Sequence, residues 1–198
     1  MEAQLFGYQV LPGVALDLPA TAKASRVRAE EAFDRRQLYA AGGLAAVSGI
    51  LVLLGQWASQ VASAALICLG TLAVFLGWIW YRRSRVQAER TLLSQHPWQV
   101  WPCYLQALTA DEARSLRHTA RPGTTACRVR LLAPGGAPVR SGRVNIPTDL
   151  WDSMTDGVGS LWVCGDLRDP FLVAAPGGTE WTLCRPDGAY AVHTTIRH

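Results

Sequence analysis

The densest group of side chains able to do chemistry is Asp149, Asp152 and Asp156, followed by Asp166, Arg168 and Asp169. Paired carboxylates can exchange protons with a substrate or hold a cation. Their spacing matches no calcium-binding loop, and Asp156-Gly157 and Gly165-Asp166 read as ordinary turns in solvated loops. The four histidines, His96, His118, His193 and His198, lack helical or short-range ligand spacing to another His or Cys. The cysteines are Cys68, Cys103, Cys127, Cys164 and Cys184. The last four are too far apart for the close pair a zinc site usually has, and read as buried thiols in a reducing compartment. Gly157, Gly159 and Ser160 do not form a nucleophile elbow, and no phosphate-binding glycine loop precedes a helix. The sequence therefore supplies no catalytic residue, metal ligand set or cofactor site. A different kind of chemistry is open to Trp98, Trp101, Trp151, Trp162 and Trp181. Most of these must fill a core, but one or two left exposed would make a partner-binding patch.

The carboxylate cluster and the five tryptophans lie in 96–187, a region the size of one small domain that reads mostly as β. Trp98–Leu108 is an aromatic-rich run in which Pro102 marks an edge or bulge. Thr125–Leu132 alternates, with Arg128 and Arg130 on one face and Val129 and Leu131 on the other. Pro134, Gly135 and Gly136 form a turn before Val139–Ile146, where Gly142 suggests a bulge. Leu161–Cys164 is a short buried strand. Phe171–Ala175 and Glu180–Cys184 flank Pro176, Gly177 and Gly178 as a hairpin. One helix is predicted at Ala110–His118, with Thr109 and Glu112 as a capping box. Short strands at this spacing predict a small barrel or sandwich. Residues 188–198 read as a fraying tail.

What precedes this domain is of another kind. From Gln37 to Tyr81 there are 45 consecutive residues without Asp, Glu, Lys or Arg, where 17% charged residues would supply seven or eight. A single helix of that length would measure roughly 68 Å, about twice the hydrocarbon thickness of a bilayer. Two spans fit, near 38–58 and 61–81, broken at Gln56, Trp57, Ser59 and Gln60. Tyr39, Trp57, Trp78, Trp80 and Tyr81 fall at the expected interfaces. Lys23, Arg26, Arg28, Arg35 and Arg36 precede the run, Arg82, Arg83, Arg85 and Arg90 follow it, and the loop has none. The positive-inside rule then places both termini in the cytoplasm of a multi-pass protein of the cell membrane. Small residues recur at sevens, Gly42 and Gly49 in the first span, Ser63, Gly70 and Gly77 in the second, a stripe suited to close helix packing within the hairpin or in an oligomer. No ionisable group lies within the spans, which argues against a conduction path.

The flanks complete the layout. Residues 1–20 read as an extended arm and 21–37 as a helical lead-in capped by Thr21, either solvated or lying in the interface. Residues 82–95 continue the second span as a helix that Pro97 ends near Gln95. The first 36 residues hold no apolar core of a signal peptide. Beyond residue 90, ten Arg face nine acids, so no concentrated basic face points to nucleic acid.

Around Leu161, Trp162, Val163, Cys164, Gly165 and Asp166, followed by Pro176, Gly177 and Gly178, the chain resembles uncharacterised two-transmembrane-helix proteins of high-GC Gram-positive bacteria, over residues 37–185. That resemblance implies the architecture but no activity. The layout is also similar, at the level of architecture, to NfeD-like membrane proteins with a C-terminal barrel.

The expected fold is thus a two-helix transmembrane hairpin plus a small, mainly β cytoplasmic domain. The expected role is a non-enzymatic adaptor held in the lipid bilayer, with a protein partner or a homo-oligomer. A subunit of a transport or secretion complex, and a ligand-binding or hydrolytic domain using Asp149–Asp169, are the competing readings.

Overall fold

The computed structural model describes residues 2–32, 43, 59–114, 116 and 122–187, with side chains of the helix over 59–69 left out. Two compact units divide the chain, one formed by residues 1–24 together with 89–198, the other by 25–88.

The first unit is built on six strands: β1 (Gln99–Ala107), β2 (Thr124–Leu132), β3 (Pro138–Pro147), β4 (Val158–Cys164), β5 (Phe171–Ala174) and β6 (Trp181–Pro186). They close into a barrel in the order β1-β2-β3-β6-β5-β4, every pair antiparallel. β4 returns beside β1 after the β1-β2-β3 meander, which is Greek-key order. Closure leaves no long unpaired edge. Of the two shapes the sequence allowed, the barrel is the one formed.

Alternation determines the interior. Trp101, Cys103, Leu105, Cys127, Val129, Leu131, Leu161 and Val163 point inward and are buried, while Arg128 and Arg130 point out. β5 carries no polar residue and is buried on both faces. Phe171 and Val173 join the interior, and Leu172 and Ala174 join a second cluster outside the barrel with Leu93, Trp98, Cys164 and Trp181.

The N-terminal segment is part of this unit. It starts with a single helical turn, α1 (Glu2–Leu5), where the sequence suggested only extended chain. Ala3 is fully buried and its amide donates to Gln99 Oε1 at 3.2 Å. Phe6 and Tyr8 pack edge-on against Trp101, with ring centroids 5.6 and 5.1 Å away. The arm then pairs with the start of β1: Val10 bridges Gln99, Leu11 N donates to Trp98 O, and Val100 N donates to Gln9 O. Pro102 follows from this arrangement. Even-numbered amides of β1 point toward the arm and β2, and β2 pairing begins only at Cys103↔Leu131. The missing N–H of Pro102 therefore falls where the arm has left and β2 has not begun.

The sequence reading of two glycine and threonine positions changes. Gly142 is in register, opposite Val129 and Pro186, and the irregularity in this sheet lies between Leu131 and Leu132. A Cβ on Gly142 would meet Cys184 Sγ at 2.5 Å and Arg185 O at 2.7 Å, so the glycine permits close approach at the narrow β3–β6 seam. Thr21 is not a cap: helix α2 (Pro19–Ala32) begins two residues earlier, with proline at its first position.

Helix α3 (Ser59–Gln95) runs through the proposed second span and ends before Pro97, as the proline predicts. Among the described residues no helix is long and apolar enough to cross a membrane. The described side chains of α3 begin at Gly70, within the proposed span 61–81. The proposed first span, 38–58, lies outside the described residues apart from residue 43, as do Gly42 and Gly49 of the small-residue stripe. Gly70 and Gly77 lie on α3, and among the described residues a Cβ on either would meet nothing within 4 Å. Ser63 contributes only its backbone. Val74, Leu76, Trp78, Trp80 and Tyr81 are exposed, Val74 at 75% and Trp80 at 74%. Arg82 lies 5.0 Å from the Trp78 ring centroid, a cation–π distance.

Candidate partner-binding cleft

The β3–β4 connection decides where chemistry can gather. It contains α4's successor in chain order: after α4 (Ala110–Arg114), α5 (Thr148–Asp152) follows directly on β3. Met154 then folds back over Gly159, where an added Cβ would lie 3.0 Å from Met154 Cγ. Asp156 and Gly157 turn the chain into β4 with φ of 51° and 76°. Gly157 is held against β1: its carbonyl accepts from Leu105 N at 2.7 Å, and a Cβ there would collide with Leu105 O.

Between this connection and the outer side of β1 lies a cleft of about 380 Å³. Tyr104 and the chain from Leu105 to Ala107 line one side, and Trp151, Met154, Asp156 and Gly157 the other. Tyr104 also borders a smaller hollow of about 220 Å³ with Arg130, Leu132, Gly136, Pro138 and Val158. Arg130 Nη2 donates to Gln106 Oε1 at 3.0 Å. Tyr104 and Val158 are paired across β1 and β4 and both are exposed.

The five tryptophans separate. Trp98, Trp101 and Trp181 are core residues. The Trp98 indole donates to Thr21 Oγ1 at 3.2 Å, and Thr21 donates to Gly178 O at 3.0 Å. Trp181 donates to the buried Glu89 at 3.1 Å. Trp162 is half-buried on the second cluster, 6.1 Å from Trp98 between ring centroids. Only Trp151, of the five, lines the cleft. Trp151 is half-buried as well, packed with Leu150 and Met154 against the barrel core, so none of the five is left exposed as a patch would need.

The carboxylate cluster also separates. Asp149, Asp152 and Asp156 precede β4, whereas Asp166, Arg168 and Asp169 follow it. At 3.3 Å per residue the strand holds the two groups about 20 Å apart. Asp166 serves its own turn, accepting from Arg168 N at 2.9 Å. The acid–base or cation site expected from proximity in sequence therefore does not assemble.

Burial pushes the thiols of Cys103, Cys127 and Cys164 up to about 12, and that of Cys184 higher still. All four are free, buried thiols, as read from their spacing. Among the described residues no group of three His, Cys, Asp or Glu side chains could hold a metal. On the outer face of β2 and β3, beside Gln106 of β1, Arg128 bridges Glu112 at 2.6 Å and Asp187 at 3.3 Å, and Arg143 pairs with Asp187 at 2.8 Å. The Glu112 carboxyl is held below its ordinary range by hydrogen bonds from the Thr109 amide and hydroxyl, then by Arg128.

No family model, curated protein or solved structure matches this chain.

Sequence reasoning missed Tyr104, Met154 and Val158. The available signal was alternation in β1, which puts Val100, Pro102, Tyr104 and Gln106 outward. The abundance of aromatic residues there concealed it.

Proposed function

We propose that this chain is a membrane-anchored, non-enzymatic adaptor that presents its barrel to a protein partner through the Tyr104–Trp151 cleft. The reading is carried by one observation: residues 1–24 and 89–198 form one compact unit although residues 25–88 lie between them in sequence. Any membrane entered by that segment must be left on the side from which it was entered. Two crossings satisfy this and one does not. At 1.5 Å per residue, 61–81 is about 30 Å long, matching one hydrocarbon thickness. Exposed Val74, Trp80 and Tyr81 ahead of Arg82, Arg83 and Arg85 suit lipid, headgroup and water in turn. The basic flanks put both termini in the cytoplasm.

A cysteine-reactive or enzymatic reporter fused at residue 198 is expected to stay silent from outside intact cells. Signal there would reverse the orientation. Trp151→Ala is expected to reduce recovery of the partner from solubilised native membranes, and unchanged recovery would remove the cleft from the reading.

A second reading, a subunit of a transport or secretion complex, is favoured by Gly70 and Gly77, where among the described residues an added Cβ would meet nothing within 4 Å. Close backbone approach by a neighbouring helix would use them. Crosslinking in native membranes that yields only monomer would eliminate it.

A further inference from the structure

We infer that the cleft takes a Lys or Arg side chain from an extended, basic segment of the partner. This inference rests on the cleft being the partner-binding surface. It is lined by Tyr104, Trp151 and Met154, and by Asp156 among its polar residues. Aromatic faces attract cations, and a carboxylate beside them adds direction. The local charge agrees. Between Arg143 and Arg168 the chain has four Asp and no Lys or Arg, and three of those acids, Asp149, Asp152 and Asp156, lie in the connection that forms this wall. All three are exposed, and they form no ion pair among the described residues. Glu112 and Asp187, by contrast, are already matched by Arg128 and Arg143, and Arg128 stands across from Gln106 at the edge of the cleft. Arg130 borders the neighbouring smaller hollow and donates to Gln106, which lines the cleft.

The backbone indicates an extended occupant. Leu105 N donates to Gly157 O, so odd-numbered groups of β1 face the β4 side. Pairing with β4 runs only to Tyr104↔Val158. The amide and carbonyl of Ala107 therefore face the cleft beyond the start of β4, where a short extended peptide can add main-chain hydrogen bonds.

The test uses the full chain in phosphatidylcholine nanodiscs and fluorescein-labelled (Arg-Ala)4, (Lys-Ala)4 and (Glu-Ala)4 peptides, read by anisotropy. The two basic peptides are expected to bind and the acidic one to fail. Trp151→Ala and Asp156→Asn should each weaken binding about threefold to tenfold. Asparagine tolerates the positive φ of residue 156, and an unchanged melting curve for each variant ensures that the loss is local. Absence of binding by the basic peptides, equal binding of the acidic one, or no loss in both variants overturns the inference. Its failure is distinct from failure of the cleft itself. If Trp151→Ala loses the native partner while D149N/D152N/D156N retains it, the cleft binds the partner but not through charge.

Discussion

The Thr21 hydroxyl is shared by two groups far away in sequence, the Trp98 indole and the Gly178 carbonyl. Thr21→Ala leaves both without it in a dry environment, and is expected to cost about 1–3 kcal/mol, read as a fall in the urea midpoint. Thr21→Ser should recover most of that. Gly142→Ala forces a methyl against Cys184 Sγ and Arg185 O, an overpacking cost of about 1–3 kcal/mol. Pairing it with Cys184→Ala should recover only part, since the Arg185 carbonyl remains. The buried thiols set an alkaline limit. Their folded pKa is raised, so the folded chain keeps protons that the unfolded chain releases above the ordinary thiol value of about 8.5. Stability is fully present below that pH and falls as pH rises toward 12, by about 2 kcal/mol at pH 10 for each thiol that stays protonated. Urea titrations between pH 8 and 10.5 check this, and replacing Cys103 with Ala should reduce the slope.

At the scale of elements, the arm is the piece whose removal tells most. Phe6 and Tyr8 each bury aromatic surface on Trp101, so deleting residues 2–18 is expected to cost at least about 3 kcal/mol. A melting curve unchanged by that deletion would mean the arm is dispensable. Local signals made much of this fold legible. The Thr109–Glu112 capping box is present, Pro97 ends α3, and alternation gives β2 and β3 nearly to their ends. What local signals could not carry was long-range. Thr21 looks like a helix cap because its true partners lie 77 and 157 residues away. The first half of β4 was hidden because Val158, Gly159 and Ser160 follow an Asp-Gly turn and resemble its continuation. The cleft was half legible: Trp151 and Asp156 were singled out, but joined to the wrong companions. Sequence proximity suggested Asp166 and Asp169, whereas the barrel brings β1 across instead.

For the molecule as a whole, the discontinuous barrel unit constrains any change in the number of spans. Deleting residues 38–58 should leave the arm and the barrel on opposite faces of the membrane, and the barrel is then expected to become protease-sensitive. Replacing 25–88 with a flexible linker should preserve protease resistance in a water-soluble product, since Ala24 and Leu93 pack into one cluster. The reverse pattern would overturn the same-side argument. The pairing of the arm with β1 also fixes an order of events during synthesis. Gln9 is made first and its partner Val100 emerges roughly 5–20 s later at ordinary elongation rates. Both proposed spans lie between them in the nascent chain. The barrel can therefore complete its first strand only after residues 37–81 have left the ribosome, which makes a finished barrel a record that the whole intervening segment was already made.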